Sequence, residues 1–116
     1  MKYIAACALL VASFPAFSEN YATCLIDGLP GTSNHAAHGA IVQTCLQKHP
    51  SGFSGIKIGE GRGWFGFKSG AECTIKKAKD TTFPTSAGMI GMACRCLYDQ
   101  PVTVEFEGKP LYRLCA

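Results

Sequence analysis

The sequence predicts a small α+β domain with three helices, short strands and a C-terminal β-hairpin, stapled by three disulfides. The first observation behind this prediction is that six of the seven cysteines follow residue 18. An even cysteine count in a short exported chain is typical of a disulfide framework. The second is a series of helix-capping signals, and the third is an alternation of apolar and polar residues near the C-terminus. The six cysteines are Cys24, Cys45, Cys73, Cys94, Cys96 and Cys115.

Residues 1–18 have the pattern of a signal peptide, which leaves 19–116 as a single disulfide-rich domain. Lys2 supplies a positive start, an apolar run extends from Tyr3 to Ala12, and Ala16-Phe17-Ser18 offers a small-residue cleavage site. The run is shorter than the roughly 20 apolar residues that span a bilayer. We therefore expect a periplasmic or secreted protein without a membrane span.

The charge of the chain is weakly basic and unevenly distributed. Once Lys2 is removed with the signal peptide, ten Lys and Arg face eight Asp and Glu, so the formal charge falls from +3 to +2. This excess is too small to indicate a nucleic-acid partner. Between Gly28 and Ala71 the sole acid is Glu60, against Lys48, Lys57, Arg62 and Lys68. Such a stretch is either a basic face for an anionic partner or ordinary solvated surface.

The first half of the domain predicts a short strand and a helix. Tyr21 to Ile26 is rich in strand-forming residues and is followed by the turn sequence Asp27-Gly28-Leu29-Pro30-Gly31. Thr32, Ser33 or Asn34 can cap the helix, and Pro50 ends it after His49. Apolar residues recur on one face of this helix at Ala37, Ala40, Ile41 and Cys45.

The second half predicts two more helices and the hairpin. Ser69 and Glu72 form a capping box for a helix that ends near Asp80. Thr85 or Ser86 can cap the next helix, whose apolar residues at helical spacing are Met89, Ile90, Ala93, Cys94 and Leu97. The hairpin follows from the alternation at Val102, Val104 and Phe106, a turn at 107–110, and a return strand from Leu111 to Cys115.

Part of this pattern resembles a loose group of short, exported, uncharacterised four-cysteine bacterial proteins. The resemblance covers Cys24 to Tyr98 and implies a secreted bacterial protein, with no activity attached. Its residues are Cys24, Pro30-Gly31, Asn34, Cys45, Ser69, Cys73, Ala78-Lys79-Asp80-Thr81, Cys94 and Leu97-Tyr98. Cys96 and Cys115 are additions to that pattern.

The disulfide connectivity can be predicted from the helices. If the second and third helices turn near Phe83, Cys73 and Cys94 lie at one level of an antiparallel pair and can be bridged. Cys96 points to another face, where the returning hairpin can bring Cys115, and both are absent from the four-cysteine pattern. Cys24 and Cys45 then remain for the third bridge.

The candidate binding site is the glycine-rich stretch around the single tryptophan, which we call the aromatic loop (residues 57–68). Trp64, Phe65 and Phe67 are potential anchors for a sugar face or a protein, and the flanking cations are Lys57, Arg62 and Lys68. The alternative is that these rings are buried in the core of the domain. Gly61 to Gly66 also matches the G-x-G-x-x-G string of dinucleotide sites. We attribute this match to chance, because the glycines are flanked by more glycine and aromatic residues and the next helix begins later.

Signals for catalysis or metal binding are weaker. His35 and His38 are spaced to share a metal, but Asp27, His49 and Glu60 are only candidates for a third ligand. The paired cysteines leave no spare thiol, and no serine has a G-x-S-x-G setting. Another set of soft ligands, Met89, Met92, Cys94 and Cys96, is better explained by core packing and disulfides.

We therefore predict a non-catalytic binding or inhibitory module of the bacterial envelope, with no cofactor and with an envelope protein or a polysaccharide as partner. The alternative is a small exported hydrolase or metal-binding protein that uses His35 and His38. A third interpretation is a structural protein without a dedicated ligand.

Overall fold

The computed structural model describes residues 19–100, two short strands and Cys115. The signal peptide predicted at residues 1–18 lies outside this part of the chain. Its helices are α1 (Tyr21–Gly28), α2 (His35–Lys48), α3 (Gly70–Ala78) and α4 (Pro84–Tyr98), with a 3-10 turn at Gly52–Gly55. The strands are β1 (Glu105–Phe106) and β2 (Lys109–Pro110). No helix in these described residues is long and apolar enough to cross a membrane.

The predicted α+β class is wrong, because the described residues form a helical domain with four α-helices rather than three. The predicted C-terminal hairpin is reduced to a ladder of two residue pairs, Glu105 with Pro110 and Phe106 with Lys109. Residues 109–110, which we expected in the turn, belong to this ladder. The return strand predicted from Leu111 to Cys115 falls almost wholly outside the described residues.

Helix α1 replaces the strand predicted at Tyr21 to Ile26. Asn20 begins it with a reciprocal capping box: its Oδ1 accepts from the Thr23 amide at 2.9 Å, and the Thr23 hydroxyl oxygen accepts from the Asn20 amide at 2.8 Å. These bonds satisfy amides that a first helical turn leaves free. Ala22 and Leu25 are completely buried, so the apolar content that suggested a strand belongs to a core helix.

Helix α2 follows the prediction closely. Asn34 caps it by accepting from the Ala37 amide at 2.9 Å, and the helix ends at Lys48, one residue before the predicted end. The preceding turn uses Gly31 with φ of 82°, a conformation that glycine adopts without steric cost. Cys45 is bonded to Cys24, which ties α2 to α1.

Helices α3 and α4 form a hairpin joined by residues 79–83. Ser69 caps α3 by accepting from the Glu72 amide at 3.1 Å. Glu72 itself accepts from the Lys68 amide instead of the Ser69 amide that a complete capping box requires. Helix α4 begins at Pro84, ahead of both predicted caps, Thr85 and Ser86. Pro84 is tolerated there because a missing amide costs nothing in the first helical turn.

All three predicted disulfides are confirmed. Their Cα–Cα distances are 5.7 Å for Cys24–Cys45, 5.5 Å for Cys73–Cys94 and 5.9 Å for Cys96–Cys115. The second bridge joins α3 to α4, and the third joins α4 to the C-terminal segment. Bridges therefore join α1 to α2, α3 to α4 and α4 to the C-terminal segment, and none of them joins α2 to α3.

The core lies where α1 packs against α4 and α2. Leu25, Leu29, Ile90 and Leu97 are buried at its centre. The turn before α2 and the turn before α4 are also joined, because the Phe83 amide donates to the Thr32 carbonyl at 3.2 Å. This packing leaves the C-terminal end of α4 next to the aromatic loop.

Candidate functional site: the aromatic loop

The aromatic loop is attached to the last turn of α4 by backbone hydrogen bonds. The Gly59 amide donates to the Cys96 carbonyl at 2.8 Å, and the Gly61 amide donates to the Leu97 carbonyl at 2.9 Å. Carbonyls in the last turn of a helix have no partner within the helix, so they need donors from elsewhere. The loop therefore supplies the donors that complete the end of α4.

Arg62 closes the loop rather than facing solvent freely. Its Nη1 donates to the Lys68 carbonyl at 3.0 Å and to the Tyr98 carbonyl at 2.6 Å. The guanidinium thus links the Lys68 end of the loop and the end of α4 through charge-assisted hydrogen bonds. Asp99 adds a further attachment, since its Oδ1 accepts from the Gly70 amide at 2.8 Å.

The glycines that match the dinucleotide string serve close packing. A Cβ on Gly61 would lie 3.1 Å from the Leu97 carbonyl oxygen, and one on Gly66 would lie 2.7 Å from the Gly61 carbonyl oxygen. A Cβ on Gly63, in contrast, would meet nothing within 4 Å. The first and last glycines of the string are thus required by the fold of the loop, which agrees with the interpretation of this match as fortuitous.

The three aromatic residues of the loop differ in their exposure to solvent. Trp64 is 100% exposed and Phe65 is 98% exposed. Phe67 is half-buried and packs edge-on against Tyr98, with 5.2 Å between the ring centroids. Trp64 and Phe65 therefore form the tip of the loop, and Phe67 belongs to its attachment. Lys57 and Lys68 are both exposed at the two ends of the loop.

A cleft of about 470 Å³ lies between the loop and the neighbouring ends of α1 and α4. Several of its polar side chains already bond within the chain. The Asn20 side chain is bonded to Thr23 and Glu60, and Glu60 also accepts from the Lys57 amide at 3.3 Å. The lining residues are Asn20, Thr23, Glu60, Gly61, Arg62, Gly63, Trp64, Phe65, Gly66, Leu97 and Tyr98.

Tyr98, on the floor of this cleft, has a raised pKa. Burial contributes most, because it disfavours the charged phenolate, and the carboxylate of Asp27 contributes further. Burial alone raises the pKa of Tyr21. The pKa of each tyrosine is therefore higher in the folded than in the unfolded protein. The stability that these groups contribute is complete below the unfolded-state pKa and declines as pH rises through the folded-state pKa.

We accordingly expect Asp27→Asn to lower the pKa of Tyr98 and to leave that of Tyr21 unchanged. The reason is that the substitution removes the negative charge that opposes ionisation of Tyr98, while the burial of both rings stays the same. Alkaline titration followed by tyrosinate absorbance measures this. Tyr21→Phe and Tyr98→Phe identify the signals of these two residues among the three tyrosines of residues 19–116. An unchanged Tyr98 transition in Asp27→Asn contradicts the assigned cause.

The two histidines of α2 take part in packing. The rings of His35 and His38 lie 6.0 Å and 5.4 Å from the ring of Phe83, both edge-on. His38 is buried and its Nδ1 lies 2.7 Å from the hydroxyl oxygen of Ser86. Across residues 19–100 and Cys115, no three His, Cys, Asp or Glu side chains are grouped as metal ligands.

The proposed third ligands lie elsewhere. At about 1.5 Å of rise per helical residue, His49 is roughly 16 Å from His38 along α2. Glu60 is occupied by Asn20 and the Lys57 amide. The alternative site based on His35 and His38 therefore does not assemble in the described residues.

The contact between His38 and Ser86 is the nearest approach to a catalytic pair, and sequence reasoning did not find it. Ser86 is completely buried, so a substrate carbonyl cannot reach its hydroxyl. The pair acts as a hydrogen bond between α2 and α4. The sequence signal for this contact was Pro84, because a helix that begins at Pro84 has Ser86 on its buried face.

No protein family, curated protein or solved structure matches the chain. The geometry of the aromatic loop is therefore the basis on which a function can be inferred.

Proposed function

We propose that this protein is a non-catalytic binding module that is exported to the periplasm or secreted and presents Trp64 and Phe65 to a partner. Three disulfides support export, because disulfides persist in oxidising compartments. The single observation that carries the proposal is the complete exposure of two adjacent large aromatic side chains. Burial of such rings would stabilise the core of a small domain. Their exposure to water therefore favours a binding role.

The loop that carries these rings is held in place before any partner arrives. The Gly59 and Gly61 amides and the Arg62 guanidinium all bond to backbone carbonyls of α4 or the loop itself. A loop ordered in advance loses less conformational entropy on binding than a disordered one. The hydrogen bonding of the loop therefore supports presentation of the two rings from an ordered backbone.

The test is replacement of Trp64 by alanine in the oxidised protein. Since the ring is fully exposed, the free energy of unfolding should change by less than about 0.5 kcal/mol. Partner binding should weaken by about tenfold or more, as for an aromatic anchor residue. Urea unfolding measures the first quantity, and quantitative capture of components from an envelope extract measures the second.

Ile75→Ala is the matched control, because Ile75 is a large apolar residue on α3 that is 73% exposed. This variant should capture the same components as the wild type. Equal capture by Trp64→Ala and the wild type, or unfolding of Trp64→Ala, contradicts the proposal.

A further inference from the structure

We propose that the tip of the aromatic loop docks on the surface of an anionic lipid bilayer, with Trp64 and Phe65 in the interfacial region. This inference rests on the proposed binding function and names the chemistry of the partner. Both rings are adjacent in sequence, almost completely exposed and carried by a loop that is bonded to α4. Tryptophan is enriched at membrane interfaces because its ring has apolar and polar parts.

The cleft beside the rings offers little to a sugar. Recognition of a sugar requires polar side chains that can exchange hydrogen bonds with hydroxyl groups. Asn20, Thr23 and Glu60 already bond to one another or to the backbone. What the loop presents beyond these bonds is mainly apolar ring surface, which matches the acyl boundary of a bilayer better than a polysaccharide.

The size of the tip also argues against a protein partner. One side of a stable protein interface buries about 800 Å². Two aromatic side chains contribute roughly 150–250 Å² each, so a protein partner would also have to contact much of the surface around the tip. A bilayer requires no complementary partner surface, and a shallow apolar insertion combined with electrostatic attraction gives reversible binding.

The charges around the tip fit an anionic surface. Lys57 and Lys68 are exposed at the ends of the loop, and Arg62 adds a third positive charge. The one acid among residues 57–68 is Glu60, which is bonded to Asn20 and the Lys57 amide. Of the acids just outside the loop, Glu72 accepts from the Lys68 amide and Asp99 accepts from the Gly70 amide. Basic residues close to a membrane are attracted by the negative potential of anionic lipids.

The experiment uses the oxidised mature protein and two sets of vesicles, one of phosphatidylcholine and one of phosphatidylcholine mixed with phosphatidylglycerol. Trp64 is the sole tryptophan, so fluorescence reports on the tip directly. We expect a blue shift and cosedimentation with the anionic vesicles, and weaker binding to the neutral ones. Brominated acyl chains should quench the emission, because the indole lies at the acyl boundary.

Variants identify the contributions of the rings and the charges. Phe65→Ala keeps the fluorescent probe and should weaken vesicle binding by about tenfold. Lys57→Gln combined with Lys68→Gln should remove most of the preference for anionic lipid and most of the salt dependence. Ile75→Ala should bind as the wild type does, and circular dichroism confirms that each variant is folded.

Absence of a blue shift with both vesicle types overturns the inference, as does vesicle binding that Phe65→Ala leaves unchanged. A Trp64 response to a soluble oligosaccharide or to a captured protein, without a response to vesicles, also overturns it and leaves the binding function standing. Failure of the binding function itself is recognised separately, because Trp64→Ala then captures the same components as the wild type.

Discussion

Replacing both Cys73 and Cys94 with alanine should lower the free energy of unfolding by about 3 kcal/mol or more. The bridge closes a loop with a sequence separation of 21. By restricting the unfolded chain, a bridge across a loop of this length stabilises the folded state by about 3 kcal/mol. Both cysteines are completely buried between α3 and α4, so the truncation also removes packing contacts. Urea unfolding of the oxidised variant measures the change.

The other two bridges provide the control for loop entropy. Their sequence separations are 21 for Cys24–Cys45 and 19 for Cys96–Cys115, so the entropic contributions differ by less than about 0.2 kcal/mol. The cysteines of these two bridges are buried as well, so a larger loss for Cys73–Cys94 measures the difference in packing around the bridges. Peptide mapping must show that the remaining four cysteines keep their native pairing. A loss below about 1 kcal/mol would contradict the expected role of this bridge.

Gly70→Ala should lower the free energy of unfolding by about 1–3 kcal/mol. A Cβ at this buried position would lie 2.8 Å from Arg95 Cα and 2.7 Å from Asp99 Oδ1. Arg95 Cα is backbone of α4 and cannot rotate away, so α3 and α4 must separate. The separation also strains the bond from the Gly70 amide to Asp99.

Gly88→Ala is the matched control for this substitution. Gly88 lies on α4, and a Cβ there would meet nothing within 4 Å. Because alanine has a higher helix propensity than glycine, this variant should gain up to about 1 kcal/mol. Urea unfolding of both variants gives the comparison. If Gly70→Ala is as stable as the wild type, the close approach of α3 to α4 is not required.

The helical hairpin and its bridge could be predicted from sequence because local signals define both of its arms. Ser69 marks the start of α3 by a side-chain cap, and the chain reverses between Lys79 and Phe83. Counting residues from that turn places Cys73 opposite Cys94. Helical geometry therefore favours this pairing once the two helices are taken as an antiparallel pair.

Helix α1 could not be assigned in the same way. The side chains from Tyr21 to Ile26 include residues that favour strands, and propensity is weaker than tertiary context. The helix is stabilised by the cap from Asn20 and by burial of Ala22 and Leu25 against neighbouring helices. Such burial depends on contacts that a short window of sequence does not contain.

The exposure of the loop tip was equally beyond sequence reasoning. Phe53 packs edge-on against Tyr21 with 4.8 Å between the ring centroids, and Phe67 packs against Tyr98. Nothing local distinguishes those rings from Trp64. The same holds for Arg62, whose role in closing the loop depends on the distant carbonyl of Tyr98. The composition of the loop thus predicted a candidate site, but not which of its residues are exposed at the tip and which attach the loop to α4.

The attachment of the loop to α4 separates the residues that maintain the domain from those that face outward. Gly59, Gly61 and Arg62 supply the bonds that hold the loop, while Trp64 and Phe65 project beyond them. Positions 64 and 65 can therefore accept different side chains without altering the scaffold. Variation at these two positions is therefore expected to change the surface that the loop presents while the fold persists.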